Sequence, residues 1–253
     1  MKLTNETLRT FYLKDLSTPD TFHGRTTPKA RNIKAWEAVP REPTIRRLDI
    51  SNGTKIYVWS DIHFGHQNII KYCNRPYPNW DLMNECLIGN YRNIVGHEDI
   101  VIFGGDIGFM KEWNINEILA DLPGYKIQVV GNHDFNRDGS LKNLAFDERH
   151  LCFVFDVVDE DIEYQLLFTH YPLTSVPDGC YNVHGHIHDK VVPGDKHINI
   201  CVEHTGYKPV LLKDYVLDPV RASELRRVPF DTAVEEAKHR MADAVQKYTG
   251  ETE

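Results

Sequence analysis

The sequence predicts an α/β sandwich, with helices outside a system of mixed β-sheets. Strand and helix patterns alternate through the first half of the chain, and the second half reads mostly as strands. Short polar clusters end five of those strands. The carboxyl ends of strands are where open α/β sheets build their sites.

The 253 residues suffice for one sizeable α/β domain or two small ones. With 41% hydrophobic and 26% charged residues, the composition is that of a soluble globular protein. No apolar run approaches a membrane span, and the polar start Met1-Lys2-Leu3-Thr4-Asn5-Glu6 has no signal-peptide core. The five cysteines are odd in number and form no Cys-x-x-Cys pair, which fits reduced cytoplasmic thiols better than a disulfide framework. A net charge of −8 disfavours a generic nucleic-acid coat and no membrane partner is expected. The charge is uneven: residues 1–44 carry eight Lys/Arg against five Asp/Glu, and the rest 21 against 32.

Residues 1–44 show no sustained period and are punctuated by Pro19, Gly24, Pro28, Pro40 and Pro43, as in an irregular arm packed on the body, with Trp36 as its anchor. The domain proper is expected over 45–230. It opens with a hairpin: Thr44 to Ile50 alternates, Ser51-Asn52-Gly53 turns, and Lys55 to Ser60 returns. Helices are expected over Asn68 to Cys73 and Asp81 to Val95, a buried strand over Asp99 to Phe103, and a helix from Trp113 to Leu122 stopped by Pro123-Gly124. The strand Lys126 to Val130 runs into Gly131-Asn132-His133-Asp134. Cys152 to Val158 and Ile162 to Thr169 form a hairpin; Tyr181 to Val183, His197 to Val202 and Val210 to Lys213 are further strands. Residues 231–253 hold a helix docked on the domain, with Val234, Ala237, Met241, Val245 and Tyr248 as its apolar stripe.

The polar groups at the five strand ends are Asp61 and His63, Asp106, Asn132 and His133, His170, then His186 and His188. Residues two apart on an extended segment share a face, so Asp-x-His and His-x-His can each converge on one point. Carboxylate and imidazole donors suit Zn²⁺, Mn²⁺ or Fe²⁺, and the lack of thiolates argues against a Cys-rich structural zinc site. Leaving His133 aside, seven ligands exceed one tetrahedral ion and fit two ions that share a carboxylate. Two ions about 3.5–4 Å apart activate water and stabilise a phosphoryl group in displacement.

In this order, Asp-x-His, Gly-Asp, Gly-Asn-His-Asp, a lone His after a strand and Gly-His-x-His resemble the calcineurin-like metallophosphoesterase superfamily, over about residues 55–215. The wording Ser60-Asp61-Ile62-His63-Phe64-Gly65-His66, with Asn74-Arg75-Pro76 and Thr169-His170-Tyr171-Pro172-Leu173, looks like its bacterial and phage "predicted phosphoesterase" branch. The resemblance implies a four-layer αββα sandwich and two divalent ions, Mn²⁺ first, with Fe, Zn, Ni or Mg as alternatives. It implies Asp61, His63 and His188 on one ion, Asn132, His170 and His186 on the other, Asp106 between them, a bridging hydroxide as nucleophile and His133 as the acid facing substrate. The expected activity is hydrolysis of phosphate esters, a diester of nucleotide-like size foremost. Two alternatives stand beside it: a nuclease on DNA or RNA, which the acidic body disfavours, and a binding module that keeps the fold without catalysis.

One departure is visible. Many members carry an aspartate three positions after the Gly-Asp carboxylate, where it orients the acid histidine; here that position is Phe109. His66, Arg75 and Arg137 are candidate substrate contacts, His66 equally a helix-start cap. His184, Glu203 and His204 are candidates for supporting roles behind the ligands, and Asp134 is open between a cap and such a role.

Overall fold

The computed structural model describes residues 44–159 and 162–220. The expected arm, apart from Thr44, and the C-terminal helix lie outside the described residues. By contact the chain divides after Leu212 into two compact units. In the second, residues 213–220 are described and contain a π-helical turn, Lys213–Leu217.

The first unit is an α/β architecture of two mixed five-stranded sheets flanked by helices. Its strands are β1 (Thr44–Asp49), β2 (Ile56–Trp59), β3 (Ile100–Phe103), β4 (Tyr125–Val129), β5 (Glu148–His150), β6 (Cys152–Asp159), β7 (Ile162–Thr169), β8 (Cys180–His184), β9 (His197–Asn199) and β10 (Val210–Leu211). Its helices are α1 (Gln67–Tyr72), α2 (Trp80–Arg92), α3 (Glu112–Asp121) and the short α4 (Val202–Thr205). One sheet has the order β10-β2-β3-β4-β5, parallel except for β10; the other has β1-β6-β7-β8-β9, with β6 and β7 antiparallel.

Both faces of the first sheet are covered. Tyr57, Trp59, Val101 and Phe103 join Met83, Leu87 and Tyr91 of α2 and Ile115 and Leu119 of α3 in one core. Val58 and Ile102, which alternate with them, are also fully buried. That explains why β2 and β3 read as unbroken apolar runs. Helix α2 starts where the Asn79 side chain accepts from Leu82 N, and Tyr91 Oη donates to Pro123 O, tying its last turn to the loop before β4. The expected β6–β7 hairpin is present as an antiparallel pair.

Two expectations are corrected. Thr44 to Ser60 is not a hairpin: β1 pairs parallel with β6, whereas β2 sits between β10 and β3 in the other sheet. β2 is apolar on both faces and is buried at every residue, so it takes a central position. β1 carries Arg46, Arg47 and Asp49 and fits a sheet edge. Between them Gly53 N donates to Ile50 O at 3.1 Å, so the expected turn is present, but it joins two sheets rather than paired strands; Asp49 and Asn52 accept from the backbone N–H groups of Ser51 and Thr54 around it. The expected strand His197 to Val202 ends at Asn199, whose side chain accepts from Cys201 N; α4 follows and presents Glu203.

Candidate metal centre

The site forms where the ends of β2, β3, β4, β7 and β8 meet. The loop after β2 stays paired with the loop after β3: Asp61 N donates to Gly105 O, His63 N to Asp106 O and Phe64 N to Ile107 O, at 2.9–3.1 Å. Ile62 and Phe64 point into the core and are fully buried. Asp61 and His63, which alternate with them, have φ of 59° and 56°. The shared face is therefore reached by left-handed backbone rather than by an extended strand. Asp106 (54°), His186 (70°) and His188 (52°) do the same. Asp and His tolerate this region better than most residues, yet each such position costs on the order of 1 kcal/mol or more. Five of the seven expected ligands lie in this strained region, the concentration expected where tertiary packing holds a functional geometry.

The side chains form two trios that share one carboxylate. Asp61, His63 and Asp106 bring ligand atoms within 4.8 Å of one another, and so do Asp106, His170 and His186. Asp106 Oδ2 lies 3.7 Å from His63 Nε2 and 3.5 Å from His170 Nε2. Asp61 Oδ1 lies 3.9 Å from Nε2 of both His63 and His188. Asn132 Oδ1 is 2.9 Å from His170 Nε2, in the 3₁₀ turn Asn132–Asp134. Donors that share an ion at about 2.1 Å each lie up to about 4 Å apart, so these spacings suit a common ion.

Hydrogen bonding points the same way. Asp61 Oδ2 accepts from Ser60 Oγ, His186 N and Cys201 Sγ. The buried Asp61 Oδ1 and both ring nitrogens of His63 meet no hydrogen-bond partner among the described residues. Unpaired buried polar atoms are costly, and a cation among them removes that cost. Burial drives the His63 pKa well below the usual value, so its ring is neutral and ready to coordinate. Burial would also lower His170, but the Asp106 carboxylate outweighs it and raises this imidazole to about 9. Burial opposes ionisation of Asp106, and His170 and His63 overcome it, holding the carboxyl far below its ordinary range. Burial pushes the Cys201 thiol well up. With Asp61 and His188 it forms a further group able to hold an ion, and Cys73, His188 and Glu203 form another.

Behind these side chains stands a layer of which the sequence offered Glu203 and Asp134 as candidates without their partners. His188 Nδ1 is 3.2 Å from Glu203 Oε1, and Arg75 donates to that same oxygen through Nε at 2.9 Å and Nη2 at 2.7 Å. Arg75 also donates to Asp61 O and Ile62 O. Its guanidinium is wholly buried and engaged with protein. Arg75 is thus placed as a brace for the Asp61 loop, not on an open face as a phosphate clamp. Its signal in the sequence was the wording Asn74-Arg75-Pro76, but only the fold brings Glu203 to it. Asp134 resolves as a pin between loops: its carboxylate accepts from Gly131 N at 2.8 Å and from Asp106 N and Ile107 N at 3.0 Å. A Cβ on Gly131 would collide with the Asp106 carboxylate and amide, so glycine is needed there.

His133 is exposed. Its N–H donates to Asp106 Oδ1, and its C=O accepts from Lys142 Nζ, which also donates to Gly108 O. No carboxylate among the described residues hydrogen-bonds its ring; the ring lies 4.6 Å from that of Phe109 and 5.5 Å from that of His63. Lys142 was missed because nothing near it in sequence marks it. His66 occupies the N-cap position of α1 without a side-chain cap bond, and its ring stacks on Phe109 at 3.9 Å. Arg137 is exposed in the turn closed by Asn136 N donating to Ser140 O. His184 is buried, its Nδ1 3.0 Å from Gly185 O, and joins neither trio. His204 Nε2 lies 3.2 Å from Lys190 O, away from the centre.

Fold and site together define an α/β protein with buried Asp/His clusters able to hold one or two divalent ions. No family model matches the sequence. Over 170 residues it is 38% identical to the uncharacterized protein MJ1445 of Methanocaldococcus jannaschii, covering 62% of this chain and 87% of that protein. The chain belongs to the same family as that archaeal protein. Among solved structures it is similar to the protein of unknown function AQ665 from Aquifex aeolicus, with a TM-score of 0.49, 25% identity, and coverage of 64% of this chain and 97% of that one. No described helix is long and apolar enough to cross a membrane.

Proposed function

We propose that this chain is a phosphoric ester hydrolase working with two divalent ions, a member of the calcineurin-like metallophosphoesterase superfamily with its four-layer αββα arrangement. The observation that carries this reading is the position of Asp106, whose Oδ2 lies between His63 and His170, one imidazole from each trio. A carboxylate shared in this way is what a pair of ions requires. Asp61, His63 and His188 would hold one ion and Asn132, His170 and His186 the other, with Asp106 between. The oxygen and nitrogen donors suit Mn²⁺ first, and Fe, Zn, Ni or Mg by the same chemistry. Two bound ions would supply an acidified water and positive charge for the phosphoryl oxygens.

The protein's own groups account for the remaining roles. His133 is exposed beside Asp106, where a substrate would lie, with its backbone held at both ends by Asp106 and Lys142. In this reading it would protonate the leaving alkoxide, a role worth about 10²–10⁴ in rate. Glu203 and Arg75 orient His188, and Asp134 holds the Asp106 and Gly131 loops in register. The substrate class is a small phosphodiester of nucleotide-like size. The test is turnover of bis-nitrophenyl and mono-nitrophenyl phosphate by protein loaded with Mn²⁺ or Ni²⁺. Turnover of the diester ahead of the monoester is expected; no turnover of either would sink the proposal.

A further inference from the structure

Phe109 stands where many metallophosphoesterases have an aspartate, and the ring is 44% exposed. A single exposed phenylalanine is ordinary; its neighbours give it meaning. The ring stacks on His66 at 3.9 Å and 17°, lies 4.6 Å from His133 and 5.6 Å from His63. His66 in turn meets Tyr72, which is 74% exposed. A row of flat rings thus runs from the first trio to the surface. At the other trio Tyr171 is also 44% exposed, its ring 4.1 Å from that of His186.

Past Phe109 the chain continues into an open cleft of about 520 Å³. Its polar groups are largely committed to protein: the Glu112 carboxylate accepts from Asn136 and from Asn143 N, and the Lys142 ammonium serves two carbonyls. Among the described residues that line it, the groups left for a ligand are the indole of Trp113, 59% exposed, and the exposed ammonium of Lys111. The surface next to His133 therefore offers flat apolar area followed by positive charge. Aromatic side chains of this kind take nucleobases by stacking, which tolerates any base because every base has a π-face.

We infer that one arm of the substrate is a nucleoside whose base stacks on Phe109, with the Trp113–Lys111 cleft receiving what extends beyond it. This rests on the phosphoesterase reading, which supplies the anchor for the phosphate. It assigns to Phe109 a binding role in place of the missing carboxylate.

Calorimetry on the Mn²⁺-loaded protein with adenosine 5′-phosphate, ribose 5-phosphate and inorganic phosphate tests it. Adenosine 5′-phosphate is expected to bind about tenfold or more tighter than ribose 5-phosphate. Phe109→Ala should abolish that advantage and leave ribose 5-phosphate affinity unchanged, while Phe109→Trp should keep it. Equal binding of the two sugar phosphates to the unaltered protein overturns the inference but leaves the metal reading intact. So does an advantage that survives Phe109→Ala, or one removed by Tyr171→Ala in its stead. If no phosphate-bearing probe binds in a metal-dependent way, the underlying reading fails and the inference falls with it.

Discussion

Replacing Asp134 tests how the candidate centre is held together. Its fully buried carboxylate takes three backbone N–H groups: Gly131 and Asp106 on Oδ2, Ile107 on Oδ1. Asp134→Asn keeps one oxygen for two of them and turns an NH₂ group toward the third, leaving one buried donor facing another. A buried donor without a partner costs about 1–3 kcal/mol, so about 2 kcal/mol is expected for Asn. Ala strands all three donors and should cost about twice as much after relaxation. A competing effect acts on the sign. Burial, with the nearby Asp106 charge, raises the Asp134 pKa, so holding this carboxylate ionised costs energy that the amide would avoid. Three short bonds from donors locked in their loops should outweigh that cost. Urea unfolding of the metal-free protein measures the balance: at a slope of about 3 kcal/mol per M, 2 kcal/mol moves the midpoint down by about 0.7 M. Asp134→Asn as stable as the parent, or more so, would refute the reasoning: desolvation of the carboxylate would then outweigh its three hydrogen bonds.

Glu203→Gln should weaken divalent metal binding by about 10–100-fold in chelator competition, because Glu203 orients His188 and fixes its tautomer; an unchanged affinity would leave that orienting role without support. Metal uptake at pH 7 should release about two protons, since a coordinating imidazole must be neutral. His170 is raised to about 9; His188 is raised to about 10 as Cys73, Glu203 and Asp61 outweigh its burial. Calorimetry in buffers of different ionisation enthalpy counts them, and none released would contradict the protonated state. In the metal-free protein the stability from these two histidines is fully present below their unfolded pKa of about 6.5 and is lost as the pH rises through 9 to 10. Unfolding midpoints across that window should fall, and less steeply in His188→Gln, where His170 alone remains. His133→Ala should retain bound metal by elemental analysis while losing about 10²–10⁴ in turnover; retained turnover would remove His133 as the acid.

The helices α1 to α3 were legible to within a few residues because an amphipathic helix writes its own period into the chain. The same holds for β2, β3, β4 and the β6–β7 pair. The strand partner of β1 was not legible. An alternating strand before an Asn-Gly turn carries the pattern of a hairpin, and nothing local says that its true neighbour lies about a hundred residues on, in β6. Asp134 stayed open between a cap and a supporting role because its three donors come from two different loops. Arg75 read as a candidate substrate contact because Glu203, its partner in the fold, is distant in sequence.

By itself, the sequence determined the kinds of donor present and their order at strand ends, since residue type and the two periods are local properties. Tertiary structure brought Asp106 into both trios, where the resemblance had set it, and it alone decided that five of the candidate ligands take left-handed backbone and that, among the described residues, His133 rests against Phe109 with no carboxylate on its ring. Each of these depends on loops after separate strands being brought together. Sheet pairing and long-range packing set that convergence, and neither is written in any one stretch of chain.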